Sequence, residues 1–200
     1  KNEDYFKEGL PYFDGMEWFM INDSSRVLAA YKAQQALMSV YLNSNMNVRE
    51  GQELEEAMEG KGRVFFAGPT LSHALLINTS VAPFDDVRVR QALQLVLHRQ
   101  AFNQIFGNGL YLIGSPFPPD TWFSSSTEEL LQLPGLRETA DGEKDPRDIA
   151  EAQRLMAEAG YPDGRGFPQL ELLYNTSESH KTIAEVIQQQ WKNYLGIDVE

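Results

Sequence analysis

The chain has no cysteine. That excludes disulfides, thiolate metal sites and a cysteine nucleophile. It says little about compartment, since exported proteins need not carry cysteine. Histidine is scarce too, with three in 200 residues. His73, His98 and His180 lie far apart, and no HExxH or other close ligand spacing joins them, so nothing marks a metal site. No GxSxG elbow appears. The glycines at 107–109 and 160–166 are too sparse for a phosphate-cradling loop. No arrangement of the many carboxylates points to acid–base catalysis, so the sequence reads as a non-enzyme without a cofactor. No apolar run approaches the roughly 20 residues of a membrane span. Basic residues are outnumbered, 17 against 29 acidic, for a net charge of -12. Such a surface repels phosphate backbones and argues against a nucleic-acid partner. There is no internal repeat and no low-complexity tract.

What remains is an ordinary globular composition, 42% hydrophobic, long enough to bury a real core. Large apolar residues at 15–21 (GMEWFMI) read as a buried strand. Asp23 or Ser24 can cap a helix over 25–35, with Val27, Leu28, Ala30 and Tyr31 available for packing. Residues 37–42 are β-prone. A helix over 48–58 sets Leu54 and Met58 four apart. Residues 63–67 and 71–79 read as two strands joined at Gly68 and Pro69.

The next stretch is APFDDVRVRQALQLVLHRQAFNQIF, residues 82–106. Asp85 or Asp86 can cap a helix there, and Val89, Leu93 and Val96 or Leu97 form its apolar stripe. Arg88 and Arg90 read as a local ion-pair network that fixes the helix start, in preference to an anion site. Residues 106–123 are rich in glycine and proline and must be mostly loop. A short helix over 127–132 stops at Pro134 and Gly135. Asp145 caps a further helix with Pro146 at its first position, running to about Ala159. Residues 170–174 form a strand, and Ser177 or Glu178 starts a helix to Tyr194 with Ile183, Ile187 and Trp191 at four-residue spacing. Residues 197–199 begin another strand. Strands alternating with helices argue an α/β fold, a sheet covered by helices.

The run Pro83, Phe84, Asp85, Val87, Arg88, Arg90, Gln91, Ala92 resembles the PFxDxRVRQAL signature of the family 5 extracellular solute-binding proteins, the peptide and oligopeptide receptors of bacterial ABC importers. Residues 145–166 are similar to that family's DPxKAxxLLxEAGYPDGxG element. Residues 172–199, with YNTSESHK, are most similar to its oligopeptide branch. His98 departs from the pattern, which has an Asp that starts the next helix, so the cap there is expected to be weak. The resemblance implies a periplasmic-binding-protein type II-like lobe with a mixed sheet. Residues 1–200 would form one lobe of a larger two-lobed receptor, with 124–143 as a surface excursion. It implies that the chain is a fragment, with the peptide-amine-pairing Asp of the family in a later segment. It further implies peptide capture between two lobes, delivery to an ABC permease in the membrane, an extracytoplasmic location (periplasmic or lipid-anchored) and a monomeric chain. Receptors of this family for another solute, such as a sugar or a nickel complex, are the nearest alternative. A structural or protein-interaction module is the alternative from a different class.

Two segments carry the candidate site. Tyr174, Asn175, Thr176, Ser177, Glu178 and Ser179 lead to His180 at the end of a strand and the start of a helix, where ligands commonly bind. Helix starts favour anions. By resemblance this loop faces the interlobe cleft, and His180 helps to meet the peptide's C-terminal end. The bland reading is a helix cap and a first-turn surface histidine. In the loop at 113–123 (IGSPFPPDTWF), Phe117, Trp122 and Phe123 either contact peptide side chains or cover their own lobe.

Overall fold

A computed structural model describes residues 4–21, 23–38, 48–65, 74–114 and 117–200. The chain divides into two compact units, residues 1–46 and 47–200. In the first, α1 (Ser24–Lys32) starts at Asp23, whose carboxylate accepts from the Arg26 N–H at 2.9 Å. It ends three residues before the expected Gln35, where Gln34 takes a positive φ. Val27, Leu28, Ala30 and Tyr31 are half-buried. Residues 15–21 differ from expectation. They are not a buried strand: Met16, Trp18, Phe19 and Met20 are all exposed. A strand needs a ladder partner and a packed face, and the described residues supply neither to this segment.

The second unit contains α2 (Val48–Ala57), α3 (Val87–Leu95), α4 (Arg99–Gly107), α5 (Thr127–Leu130), α6 (Pro146–Glu158) and α7 (Glu178–Leu195). The stripe read from the sequence is the centre of its core. Val89, Ala92, Leu93 and Val96 pack with Ala152, Leu155 and Met156 of α6, with Ile187, Trp191 and Leu195 of α7, and with Ile197.

Two helices start by the same device. Asp86, not Asp85, caps α3 by accepting the Arg88 N–H at 2.8 Å, and its carboxylate also holds the Arg88 guanidinium. Asp145 caps α6 through the Arg147 N–H at 2.8 Å and grips the Arg147 guanidinium. The Arg147 hydrogen bonds hold the Asp145 carboxyl down at about 2. Arg88 reaches further, donating to the Glu158 carbonyl at 2.8 Å and so tying the start of α3 to the end of α6. Arg90 donates to the carbonyls of Phe84 and Asp85. Both arginines thus serve the helix start, Arg88 through the expected ion pair, with Asp86, and Arg90 through backbone carbonyls instead.

The end of α3 is closed from α7. The Trp191 indole N–H donates to the Leu93 carbonyl at 3.1 Å, and the Gln190 side chain accepts the His98 N–H at 2.9 Å. His98 occupies the cap position of α4 but makes no side-chain cap bond. Its ring is buried, with Nε2 lacking a hydrogen-bond partner among the described residues. Burial pushes its pKa down and the nearby Lys144 charge adds to this, against opposing pulls from Glu143 and the Gly142 carbonyl.

Residues 124–143 are pinned to the core by charges that the sequence did not announce. Asp148, inside α6, accepts from the Gly135 N–H at 2.8 Å, from Lys144 at 2.9 Å and from Arg137. Arg99 and Lys144 both donate to the Gly135 carbonyl. Leu130 and Leu136 are buried beside this cluster. The short helix α5 has the capping box of Ser126 and Glu129 and ends at Leu130 rather than Gln132.

Beyond α6, the turn Pro162–Gly164 lies against the end of α7. A Cβ on Gly164, whose φ is +72°, would sit 2.5 Å from the Gly196 carbonyl oxygen, so only glycine permits this approach. Residues 170–172 and 199–200 run parallel through one bridge, Leu170 with Val199, flanked by Leu172 N–H to Glu200 O at 2.7 Å and Glu200 N–H to Leu170 O at 2.8 Å. The expected strands at 170–174 and 197–199 therefore meet, but only over that length, and no longer ladder exists among the described residues. The β-prone stretch at 37–42 and the expected strands at 63–67 and 71–79 lie partly outside the described residues, and His73 wholly so. Their described parts make no ladder.

Leu93→Ala is expected to cost roughly 2–5 kcal/mol in urea denaturation, as for a buried large-to-small change. A cost below about 1 kcal/mol would mean that this stripe is not the centre of the core. The depressed His98 has a second consequence. Its neutral ring is favoured in the folded chain, so its contribution is intact above the ordinary histidine value of 6.5 and is lost as pH falls below it. Wild type should therefore lose more stability than His98→Gln between neutral and mildly acidic pH. Equal losses would remove His98 as the cause.

Candidate functional site

Tyr174 to His180 form one continuous turn and helix start. Tyr174, Asn175 and Thr176 are exposed, while Ser177 and His180 are partly so. Ser177 holds the cap position of α7, yet its own side chain makes no cap bond. Asn175 shapes the turn that precedes it. Its Oδ1 accepts the Ser177 N–H at 3.0 Å and lies 2.8 Å from His180 Nδ1. Glu178 is the acidic residue of the first turn, and the Thr182 hydroxyl donates to its carbonyl at 3.0 Å. Ser177 is thus the cap residue by position with Glu178 in the first turn, and Asn175 shapes the turn before them and holds the histidine. The signal was present in the sequence, since Asn two residues before a helix start is a common local acceptor.

Phe117, Trp122 and Phe123 form a second cluster. Phe123 meets Phe117 edge-on at 5.7 Å and Trp122 edge-on at 5.1 Å. All three are exposed, Phe117 and Phe123 about half and Trp122 at 94%, so the indole at least does not cover its own unit. A small polar scaffold holds the loop. Ser124 Oγ donates to the Pro118 carbonyl at 2.6 Å and bonds the Thr121 hydroxyl at 2.8 Å. Asp120, at a positive φ, accepts from the N–H and hydroxyl of Thr127, which hold its carboxyl below the ordinary range. A loop braced in this way presents an indole to solvent at reduced entropic cost on binding.

A shallow crevice lined by Gln153, Asp163, Lys192 and Gly196, among others, shares no residue with either cluster. Among the described residues no three His, Asp or Glu side chains gather as a metal-ligand set. The chemistry on offer is recognition: an imidazole, amides and hydroxyls at a helix start, and exposed aromatic rings.

Residues 1–200 match the family of bacterial extracellular solute-binding proteins, family 5, middle region. The chain belongs to this family. The periplasmic oligopeptide-binding protein OppA of Salmonella typhimurium is 28% identical over 100% of the chain and 34% of its own length. The glutathione-binding protein GsiB of Salmonella choleraesuis is 24% identical over 96% of the chain and 33% of its own. Haemophilus influenzae OppA, in complex with the peptide RPPGFSPFR, superposes with a TM-score of 0.57 at 26% identity, over 88% of this chain and 32% of that one. The family 5 binding-protein fold is thereby established, and the chain spans about a third of the length of the curated relatives it matches. Those relatives are binding proteins, and the OppA relative is periplasmic. Among the described residues no helix is long and apolar enough to cross a membrane.

Asp120→Ala should speed amide exchange at Thr127 severalfold, because the N–H loses its carboxylate acceptor, while exchange in α3 stays unchanged. An unaltered Thr127 rate would show that the loop is braced without Asp120.

Proposed function

We propose that this chain is part of the solute-capturing component of an ABC importer whose ligand is a peptide. Family membership over residues 1–200 carries this reading, and similarity to an oligopeptide-binding protein along the whole chain supports the choice of peptide. The chain forms part of one lobe, with its sheet completed beyond the single bridge. Capture occurs between two lobes, which close on the ligand by hinge motion and pass it to the membrane permease.

The residues proposed to meet the ligand are Tyr174, Asn175, Thr176, Ser177 and His180 on one segment and Phe117 and Trp122 on the other. The first segment suits a peptide terminus. A helix start favours a carboxylate, and a protonated imidazole donates to one. The braced aromatic rings suit side chains of varied shape, since apolar contact with a ring face demands little directional matching. The work is binding without catalysis, and the location is extracytoplasmic. The GsiB relative supports one narrower alternative, glutathione, a small peptide-like solute that would use the same carboxylate chemistry.

A charge-assisted hydrogen bond contributes about 1.5–3 kcal/mol. In the whole receptor His180→Ala should therefore weaken a free-carboxylate peptide by roughly 10- to 150-fold. The C-terminally amidated peptide should lose much less. Calorimetric titration of both ligands against both proteins makes the comparison. Equal losses would make His180 a packing residue, and no loss for either would remove it from the site. Native mass spectrometry of the receptor as purified would identify the co-bound solute, and a non-peptide there would overturn the peptide reading.

A further inference from the structure

The hydrogen bonds around Asn175 decide more than the shape of the turn. The Ser177 backbone N–H points at the Asn175 side chain at 3.0 Å. A backbone N–H can only donate, so the atom that receives it is the amide oxygen and not the amide nitrogen. That same oxygen lies 2.8 Å from His180 Nδ1. An amide oxygen carries no proton, so the proton between the two atoms belongs to the imidazole. A carbonyl oxygen has two lone pairs, and here two donors use them. A neutral imidazole has one N–H, and with that proton on Nδ1 its Nε2 is the lone-pair nitrogen.

We infer that Asn175 is a positioning residue, which fixes His180 with its proton on Nδ1 and so makes Nε2 the acceptor face of the neutral ring. The five-residue separation is what allows it. Asn175 stands just outside α7 and His180 sits in its first turn, so one side chain spans both the turn N–H and the ring. Asn175 was expected among the ligand contacts. Its oxygen is instead engaged within the protein, leaving its amide NH₂ as the group with which it would meet a ligand.

The consequence is one of polarity. With the neutral ring, Nε2 accepts, and it matches a ligand N–H or ammonium group. A carboxylate is met at Nε2 only when the ring carries a second proton there. This last point rests on the peptide reading above, whereas the position of the proton does not.

The test is therefore made without ligand. Isotope-labelled histidine allows NMR to tell a protonated ring nitrogen from a lone-pair nitrogen, above the pH range where histidines titrate. The His180 signals are identified by their loss in His180→Asn. Wild type should show a protonated Nδ1 and a lone-pair Nε2. Asn175→Ala should shift the proton largely to Nε2, the position that unrestrained histidine prefers. Asn175→Asp, which keeps the acceptor, should leave it on Nδ1. Unchanged amide signals from α3 and α6 would show that the variants are folded. A wild-type ring protonated on Nε2 overturns the proposal, as does an alanine variant that keeps the proton on Nδ1. A failure of His180→Ala to weaken peptide binding would strike the peptide reading alone.

Discussion

The indole N–H of Trp191 donates to the carbonyl of Leu93 inside the core. The last carbonyls of any helix lack an intrahelical partner, and a buried carbonyl left so would be costly. At the end of α3 the Ala92 and Gln94 carbonyls are taken by Val96 and Leu97. Leu93 depends on a side chain from α7. One residue earlier on α7, Gln190 takes the His98 N–H that would otherwise have no place in the helix. Two neighbouring side chains thus close α3 and set α7 against it. From Trp191 back to His180 is eleven residues of helix, about 16 Å. The same rigid element that completes the core therefore positions the candidate binding turn.

A second constraint is electrostatic. Lys144 and Asp148 are both almost wholly buried, and burial pushes the lysine pKa down against the pull of Asp148. A buried pair gains little over an apolar pair of the same shape, but breaking it by removing one partner is expensive. Its value here is geometric. Asp148 accepts from Lys144, Arg137 and the Gly135 N–H, while Arg99 holds the Gly135 carbonyl. Residues 134–137 are thereby held through the backbone of Gly135 and the side chain of Arg137 as well as by the buried Leu136. The excursion expected at the surface is anchored from below.

The two candidate clusters show opposite uses of polar groups. Around Phe117 and Trp122, polar bonds among Pro118, Asp120, Thr121, Ser124 and Thr127 shape a loop so that apolar rings face water. Around Asn175, a polar side chain shapes a turn so that a polar ring has a defined donor and acceptor side. Each arrangement fixes groups that a binding site would otherwise have to order on meeting a ligand.

Local rules carried much of the fold. The 3.6-residue stripe at Val89, Leu93 and Val96 and the Asp145 cap with Pro146 behind it were legible because each depends on neighbours within one or two turns, whereas the choice of Asp86 over Asp85 and the grip of each capping Asp on the Arg two residues on came only from the structure. The ordered signature around Pro83 to Ala92 was legible for a different reason, as a resemblance that reached the family before any contact was known. Strands were not legible in the same way. An apolar run such as residues 15–21 looks alike whether or not a partner pairs with it, because ladder formation is a long-range event. The buried cluster at Asp148 and the closure of α3 by Trp191 join residues 11 and 98 positions apart in the chain, and no spacing rule connects them. At the site, sequence alone placed His180 beside a helix start. Only the folded turn put the Asn175 oxygen between a backbone N–H and the ring, because hydrogen-bond direction depends on where two atoms come to rest.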